Sequence, residues 1–219
     1  MPAFIALSST GFPVKQGALK EGSEMASQTS GELNPRKVLL FSGHMIDSPT
    51  RKEPRFPADK EPIAAKAIAG LLDRIGAARG DLAICGGACG GDLLFAEAAL
   101  ARQLTLAIYI PFEEDKFLAE SVDFADANWR SRYFAAKAQA SFHIASEELG
   151  PLKAGENPFE RNNMWMLQVA TGYGAEKVDF LCLWNGSGGD GPGGTQHLMQ
   201  EVQKNGGRTH WLDTRQLWS

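Results

Sequence analysis

Short apolar runs alternate with amphipathic stretches through most of this chain. Residues 38–41, 82–85, 105–110 and 178–184 are apolar almost throughout. Runs of this length without polar alternation mark strands covered on both faces, as in parallel sheets. Residues 141–144 and 208–212 are two further strand candidates. Between the runs the period changes to that of a helix. Over residues 61–75, Ile63, Ala67, Ile68, Leu71, Leu72 and Ile75 share one helical face. Asp59 is placed to cap this helix and Gly76 to end it. Residues 92–102, 113–122, 128–140, 159–173 and 195–205 are the other predicted helices. The first of these is apolar nearly all round apart from Glu97, which predicts a helix packed between the sheet and other elements. In the helix over 128–140, Trp129, Tyr133 and Phe134 at helical spacing read as core. Alternation of strand and helix predicts an α/β domain with a mostly parallel central sheet.

Two stretches stand outside the alternation. In residues 1–36, Ser, Thr, Gly, Gln and Pro dominate, and low hydrophobicity cannot offset the entropy of ordering. A disordered tail is expected there, followed by one domain over residues 37–219. The only apolar run of the tail, residues 4–7, is too short for a secretory signal and follows no basic residue. Met25, close to the patterned sequence, is an alternative start to Met1. The second stretch connects the first strand to the first helix. It carries Pro49, Pro54, Pro57 and Pro62 among the charges of Arg51, Lys52, Glu53, Arg55, Asp59 and Lys60. Connections of this length are usually functional or disordered. Proline on both sides of Arg55 and Phe56 stiffens the segment, so an ordered flap near a ligand is expected.

Composition narrows the function. The 219 residues, 43% of them hydrophobic, suffice for one globular core. A net charge of −4 leaves no basic surplus, so no nucleic-acid partner is expected. No run has the length of a membrane span. Cys85, Cys89 and Cys182 lie in or beside apolar strands and read as reduced, buried thiols of a cytoplasmic protein. His44, His143, His197 and His210 are scattered, and no metal site is expected.

The candidate chemistry lies in two glycine-rich turns. One, Gly86-Gly87-Ala88-Cys89-Gly90-Gly91-Asp92, joins the strand at 82–85 to a helix. The other runs from Asn185 through Asp190, Gly193 and Gly194 to Thr195 after the strand at 178–184. Glycine lets a ligand approach the backbone, and a helix N-terminus offers unpaired N–H groups to phosphate. In a parallel sheet both turns fall at the carboxyl ends of the strands, where ligands of open α/β sheets bind. Ser42-Gly43-His44 reaches the same edge. Arg55 or Arg161 is placed to neutralise an anion. Arg161 and Asn162 in the first turn of the helix over 159–173 either cap that helix or face the pocket. Asp92 either caps its helix or touches the ligand, and Asp190 is placed for a ribose hydroxyl.

These motifs resemble the SLOG superfamily of Rossmann-like nucleotide-binding domains, which includes the lonely-guy phosphoribohydrolases and the DNA-processing protein DprA. The resemblance covers residues 37–213 and rests on Phe41-Ser42-Gly43-His44, on Gly86-Gly87-Ala88-Cys89-Gly90-Gly91 and on Pro192-Gly193-Gly194-Thr195. It implies a three-layer Rossmann-like fold with helices on both faces of the sheet. It also implies a nucleotide-derived ligand with phosphate on the glycine turns and Thr195. In the hydrolases the last motif has one more glycine and, three residues past the threonine, a catalytic glutamate. Here Leu198 holds that position. The nearest acid, Glu201, would stand about 9 Å further along the helix axis and about 120° off the face of Thr195. The resemblance therefore points to a divergent, sensor-like branch.

The expected function is binding of a nucleotide or ADP-ribose-like ligand in a sensor or signalling role. Expected partners are that small molecule and either a second copy of the chain or fused signalling modules. The alternative is a phosphoribohydrolase-like or other nucleotide-cleaving hydrolase, with Glu201 and His44 as candidate catalytic groups beside Asp47, Asp92 and Asp190. A third reading, an interaction module with a lost pocket, sits poorly with two retained glycine turns. A nicotinamide dehydrogenase would carry Gly-x-Gly-x-x-Gly directly after the first strand, and this chain does not.

Overall fold

The computed structural model describes residues 33–188 and 193–219. Strands β1 (Val38–Gly43), β2 (Leu82–Cys85), β3 (Thr105–Ile110), β4 (Ala140–Ile144), β5 (Val178–Trp184) and β6 (Arg208–Asp213) form one sheet in the order β4-β3-β2-β1-β5-β6. Every neighbouring pair is parallel. The connections hold α1 (Glu61–Arg74), α2 (Gly91–Ala101), α3 (Glu114–Ser121), α4 (Ala127–Lys137), α5 (Ala145–Glu148), α6 (Pro158–Gly172) and α7 (Thr195–Lys204), and α8 (Thr214–Leu217) follows β6. Among the described residues no helix is long and apolar enough to cross a membrane.

Alternate strand residues enter opposite layers, which is why the four inner strands, β3, β2, β1 and β5, are apolar almost throughout rather than at every second residue. Leu39, Phe41, Ala83, Cys85 and Leu181 pack with residues of α1, α2, α3 and α4. Val38, Leu40, Ile84, Phe180 and Cys182 pack with residues of α6 and α7. The domain is therefore a three-layer, Rossmann-like α/β fold. Helix α2 is the most enclosed, with Leu93, Leu94, Phe95, Ala96 and Ala99 buried. The Phe95 ring stacks on Phe41 of β1 at 4.8 Å.

Strands β1 to β4 step across the sheet in one direction, and β5 and β6 continue on the other side of β1. The order thus reverses between β1 and β5, and the crevice that such a reversal opens lies at the carboxyl ends of these two strands.

The differences from the expected elements are local. Asp59 does not cap α1; it lies in a single 3₁₀ turn, Ala58–Lys60, and the N-cap is Lys60, with no side-chain bond. Gly76 follows the end of α1 with a φ of +64°, a conformation natural to glycine. Helices α5 and α8 have four residues each, too few to display a period. Of the expected tail, residues 1–32 lie outside the described residues. Its last residues join the domain: Pro35 is buried, and Arg36 donates twice to Asp81 at 3.1 Å.

The connection after β1 is pinned at its base. Asp47 N–H donates to the Phe56 carbonyl at 2.8 Å, and Asp47 Oδ2 accepts the N–H groups of Arg55 and Phe56 at 2.8 and 2.9 Å. Phe56 is buried and stacks on Trp218 at 5.5 Å.

One charged cluster ties the sheet edge. Asp179 on β5 is buried, accepts from Arg208 Nε and Nη2 at 2.8 Å, and lies 2.7 Å from His210 Nε2. Burial pushes the carboxyl pKa up, but the hydrogen bonds from His210 and Arg208 outweigh it and hold the value at about 2. A carboxylate held below its unfolded value of about 3.9 stabilises the fold above that pH and stops doing so as pH falls through about 2. Asp179→Asn is expected to lower the unfolding free energy by about 2 kcal/mol at pH 7. Urea denaturation should show that difference shrinking as pH falls from about 4 towards 2.

Candidate functional site

The chain leaving β1 lies directly on the start of α2. His44 N–H donates to the Leu183 carbonyl at 2.9 Å, and the His44 carbonyl accepts Gly91 N–H at 3.0 Å. Ile46 N–H donates to the Cys89 carbonyl at 3.3 Å. A contact this close requires glycine. Gly90 has a φ of +93°, and a Cβ there would stand 2.7 Å from the Ile46 nitrogen.

The His44 ring completes the clamp. It is buried, and its Nε2 accepts Asn185 N–H at 3.1 Å, which joins the ends of β1 and β5. Burial, and then the positive charge of Arg55, bring its pKa down to about 4. A nitrogen that accepts an N–H must carry a lone pair, so the ring is neutral with its proton on Nδ1.

Beside this clamp a cavity of about 230 Å³ opens at the strand ends. Ser42, Gly43, Gly86, Asp92, Asn162 and Asn163 supply its polar wall, and Phe41, Met45, Phe117 and Met166 are among its apolar residues. Asn157 caps α6 by accepting the N–H groups of Phe159 and Glu160, which leaves the next two asparagines to face inward. Asn162 Nδ2 donates to the Tyr109 carbonyl at 2.8 Å, and this fixes which way the amide points. Its Oδ1 is buried and has no hydrogen-bond partner. Asn163 Nδ2 donates to the Gly193 carbonyl at 2.9 Å, and the Ser42 and Thr195 hydroxyl oxygens stand 3.3 Å apart. The second glycine turn is thereby drawn to the cavity, at the N-terminus of α7, where Gly194 is the N-cap and Thr195 the first residue. Gly193 has a φ of +75°, and a Cβ on it would collide with the Glu160 backbone.

Among the described residues Asp92 is the one acid in the cavity wall. Its Oδ2 accepts Ala88 N–H at 3.3 Å. Desolvation raises its pKa to about 7, against the backbone donors of Ala88 and Gly86, which act to lower it. It belongs to the first turn of α2 but does not cap it; the N-cap is Gly90.

The other predicted residues fall elsewhere. Gly87 is packed so that a Cβ would stand 2.9 Å from Ile108 Cγ2, and Gly91 lies against the His44 carbonyl. Arg161 turns away from the crevice, with Nη1 and Nη2 donating to the carbonyls of Gly150 and Leu149 at 3.0 and 2.6 Å. Arg161 and Glu201 line a separate groove of about 640 Å³ between α6, α7 and the loop before α6. Arg55 lines a third hollow. Asp190, with Pro192 of the glycine motif, lies outside the described residues. Cys85, Cys89 and Cys182 are buried and unpaired. The sequence reading did not place Asn163, Phe117 and Met166 in the wall. The spacing of Asn162, Asn163 and Met166 on one face of α6 was the available signal.

No family model matches the chain, and no curated protein matches it. Among solved structures the chain is similar to DNA processing protein A (DprA) from Streptococcus pneumoniae, with 15% identity and a TM-score of 0.41 over 82% of this chain and 50% of that one. The chain thus spans about half the length of that protein. It is also similar to the Moco carrier protein from Chlamydomonas reinhardtii, with 11% identity and a TM-score of 0.33 over 84% of this chain and 98% of that one.

Asp92 gives the site a pH dependence of definite sign. Its folded pKa lies above the unfolded value, so its favourable contribution is complete below about 4 and is lost as pH rises through about 7. Asp92→Asn keeps an acceptor for Ala88 N–H and removes the charge. The variant is expected to match the parent protein near pH 4 and to exceed its stability by about 1 kcal/mol or more at pH 8, measured by chemical denaturation at both values.

Proposed function

We propose that this domain binds a nucleotide or nucleotide-derived ligand, ADP-ribose-like compounds included, in the crevice at the carboxyl ends of β1, β2 and β3, in a sensor or signalling role. The observation that carries the reading is Asn162 Oδ1, a buried acceptor without a partner on a residue of the cavity wall. An acceptor left unpaired costs about 1–3 kcal/mol, and a ligand N–H or O–H relieves that cost. Nucleobases and riboses carry such donors. The cavity, at about 230 Å³, is smaller than the ~300–1,000 Å³ of pockets that enclose a whole drug-sized molecule, so it takes a base or a sugar. The phosphate then lies outside the cavity, and the start of α7 with the Thr195 hydroxyl is one place suited to it, where helix N–H groups favour an anion. The SLOG-like glycine motifs support the same ligand class. Leu198, at the position of the hydrolases' glutamate, is fully buried in the core, which favours binding over glycosidic cleavage.

Asp92 favours a second reading, a nucleotide-cleaving hydrolase. A carboxyl with a pKa of about 7 in the cavity wall is suited to proton transfer near neutral pH. His44 has its lone pair engaged by Asn185, and Glu201 lies in another groove, so of these three candidates only Asp92 is placed to act in the cavity.

The test is thermal denaturation with adenosine, AMP and ADP-ribose. Binding should raise the melting temperature of the parent protein, and Asn162→Leu should weaken the effect about tenfold in apparent affinity. No shift with any of the three, or equal shifts in the variant, would remove the reading. Free base released by the parent protein and not by Asp92→Asn would establish the hydrolase instead.

A further inference from the structure

We propose that Arg55, with Arg51, forms an anion subsite next to the crevice, suited to a phosphate or diphosphate group. The subsite stands on its own observations and rests on the reading above only for the molecule that carries the anion.

The backbone of Arg55 is fixed on both sides. Its N–H donates to Asp47 Oδ2 at 2.8 Å, and its carbonyl accepts Trp218 Nε1 at 3.1 Å. The side chain is treated differently. Arg55 Nε is buried with no hydrogen-bond partner, and among the described residues no carboxylate forms a salt bridge with the guanidinium. Asp47, the acid whose charge acts on Arg55, is held elsewhere. Its Oδ2 serves two backbone amides, and its Oδ1, which accepts no hydrogen bond, lies 3.0 Å from Arg51 Nε. Asp47 pairs with Arg51 and not with Arg55, and burial together with the charge of Arg51 lowers the Arg55 pKa against the opposing charge of Asp47. Arg132, also largely enclosed, shows the usual arrangement, with Glu61 and Glu97 both at 2.6 Å. A guanidinium without a salt-bridge partner presents its donors in a fixed fork that matches phosphate oxygens.

The place is open to a ligand. Arg51, Arg55 and Ser48 line a hollow of about 280 Å³ with Met45, Glu120 and Phe124. Glu120, the acid on its rim, is half exposed and has Lys116 at 4.0 Å. Met45 lines both this hollow and the crevice, and α3 lines both, through Phe117 on the crevice side and Ala119 and Glu120 on the other. A molecule with its base or sugar in the crevice can thus extend past Met45 to put an anionic end on Arg55.

The test uses the full chain and two sets of probes. Inorganic pyrophosphate should raise the melting temperature beyond sodium chloride at equal ionic strength, and the effect should saturate. Arg55→Gln should weaken the apparent affinity about tenfold, as expected for loss of a charge-assisted hydrogen bond. Arg55→Gln should leave the melting temperature without anion unchanged or higher, because it breaks no pair. Arg51→Gln, at an exposed side chain, repeats the test at the second guanidinium. No shift beyond sodium chloride, or the same shift in the parent protein and both variants, overturns the subsite. The second set compares ADP with adenosine. Tighter binding of ADP that Arg55→Gln abolishes, with adenosine unaffected, supports it. Equal binding of ADP in parent and variant overturns the subsite and leaves the crevice reading intact. A pyrophosphate effect that depends on Arg55, with no binding of adenosine or ADP, supports the subsite and removes the crevice reading.

Discussion

The backbone laid across the start of α2 is the contact on which the rest of this domain depends. Residues 44–46 touch the glycine turn through bonds between His44 and Gly91 and between Ile46 and Cys89. That approach is open only because Gly90 has no side chain and takes a left-handed φ. With the chain held there, the buried His44 ring reaches Asn185 and closes β1 onto β5. The reversal of strand order would otherwise leave these two strand ends to separate loops. The clamp makes them one rigid rim, and the cavity lies beside it.

The glycines of the first turn consequently have a different division of labour from that of a phosphate loop. Gly86 borders the cavity, while Gly87, Gly90 and Gly91 serve close packing against Ile108, Ile46 and His44. Several amides of that turn already have protein acceptors: Cys89 N–H bonds to Ser121, and Gly91 N–H to His44. Asp92 reinforces the point, since a carboxyl in the wall discourages an anion at that spot whenever it is charged. The anion-friendly features are the start of α7 and the arginines of the flap, on either side of a cavity whose own polar groups suit an uncharged base or sugar.

Much of this architecture was legible in the sequence. The strand at 178–184 and the enclosed helix after the first glycine turn could be read from apolar runs, because burial on both faces leaves few polar positions, Asp179 in the strand and Glu97 in the helix among them. Convergence of the two glycine turns on one edge follows from parallel pairing. What could not be read was direction within a turn of helix. Arg161 and Asn162 are neighbours, so they lie about 100° apart around α6. One faces the loop at Leu149, and the other faces the cavity. His44 was equally opaque, since a histidine after a strand carries no sign that its ring will be spent on a neighbouring backbone amide. The role of Arg55 depends on which acids Asp47 and its neighbours have left unpaired, and that is a property of the folded chain alone.

The central claim is that the ligand occupies the crevice at the carboxyl ends of β1, β2 and β3 rather than the larger groove along the outside of α6. Amide chemical-shift mapping by NMR during titration with ADP-ribose tests it most directly. The account predicts perturbations concentrated at Ser42, Gly43, Gly86, Asp92, Asn162, Asn163 and Thr195. Perturbations confined to Arg161, Gln168, Glu201 and Asn205, with Ser42 and Asn162 unmoved, would contradict it.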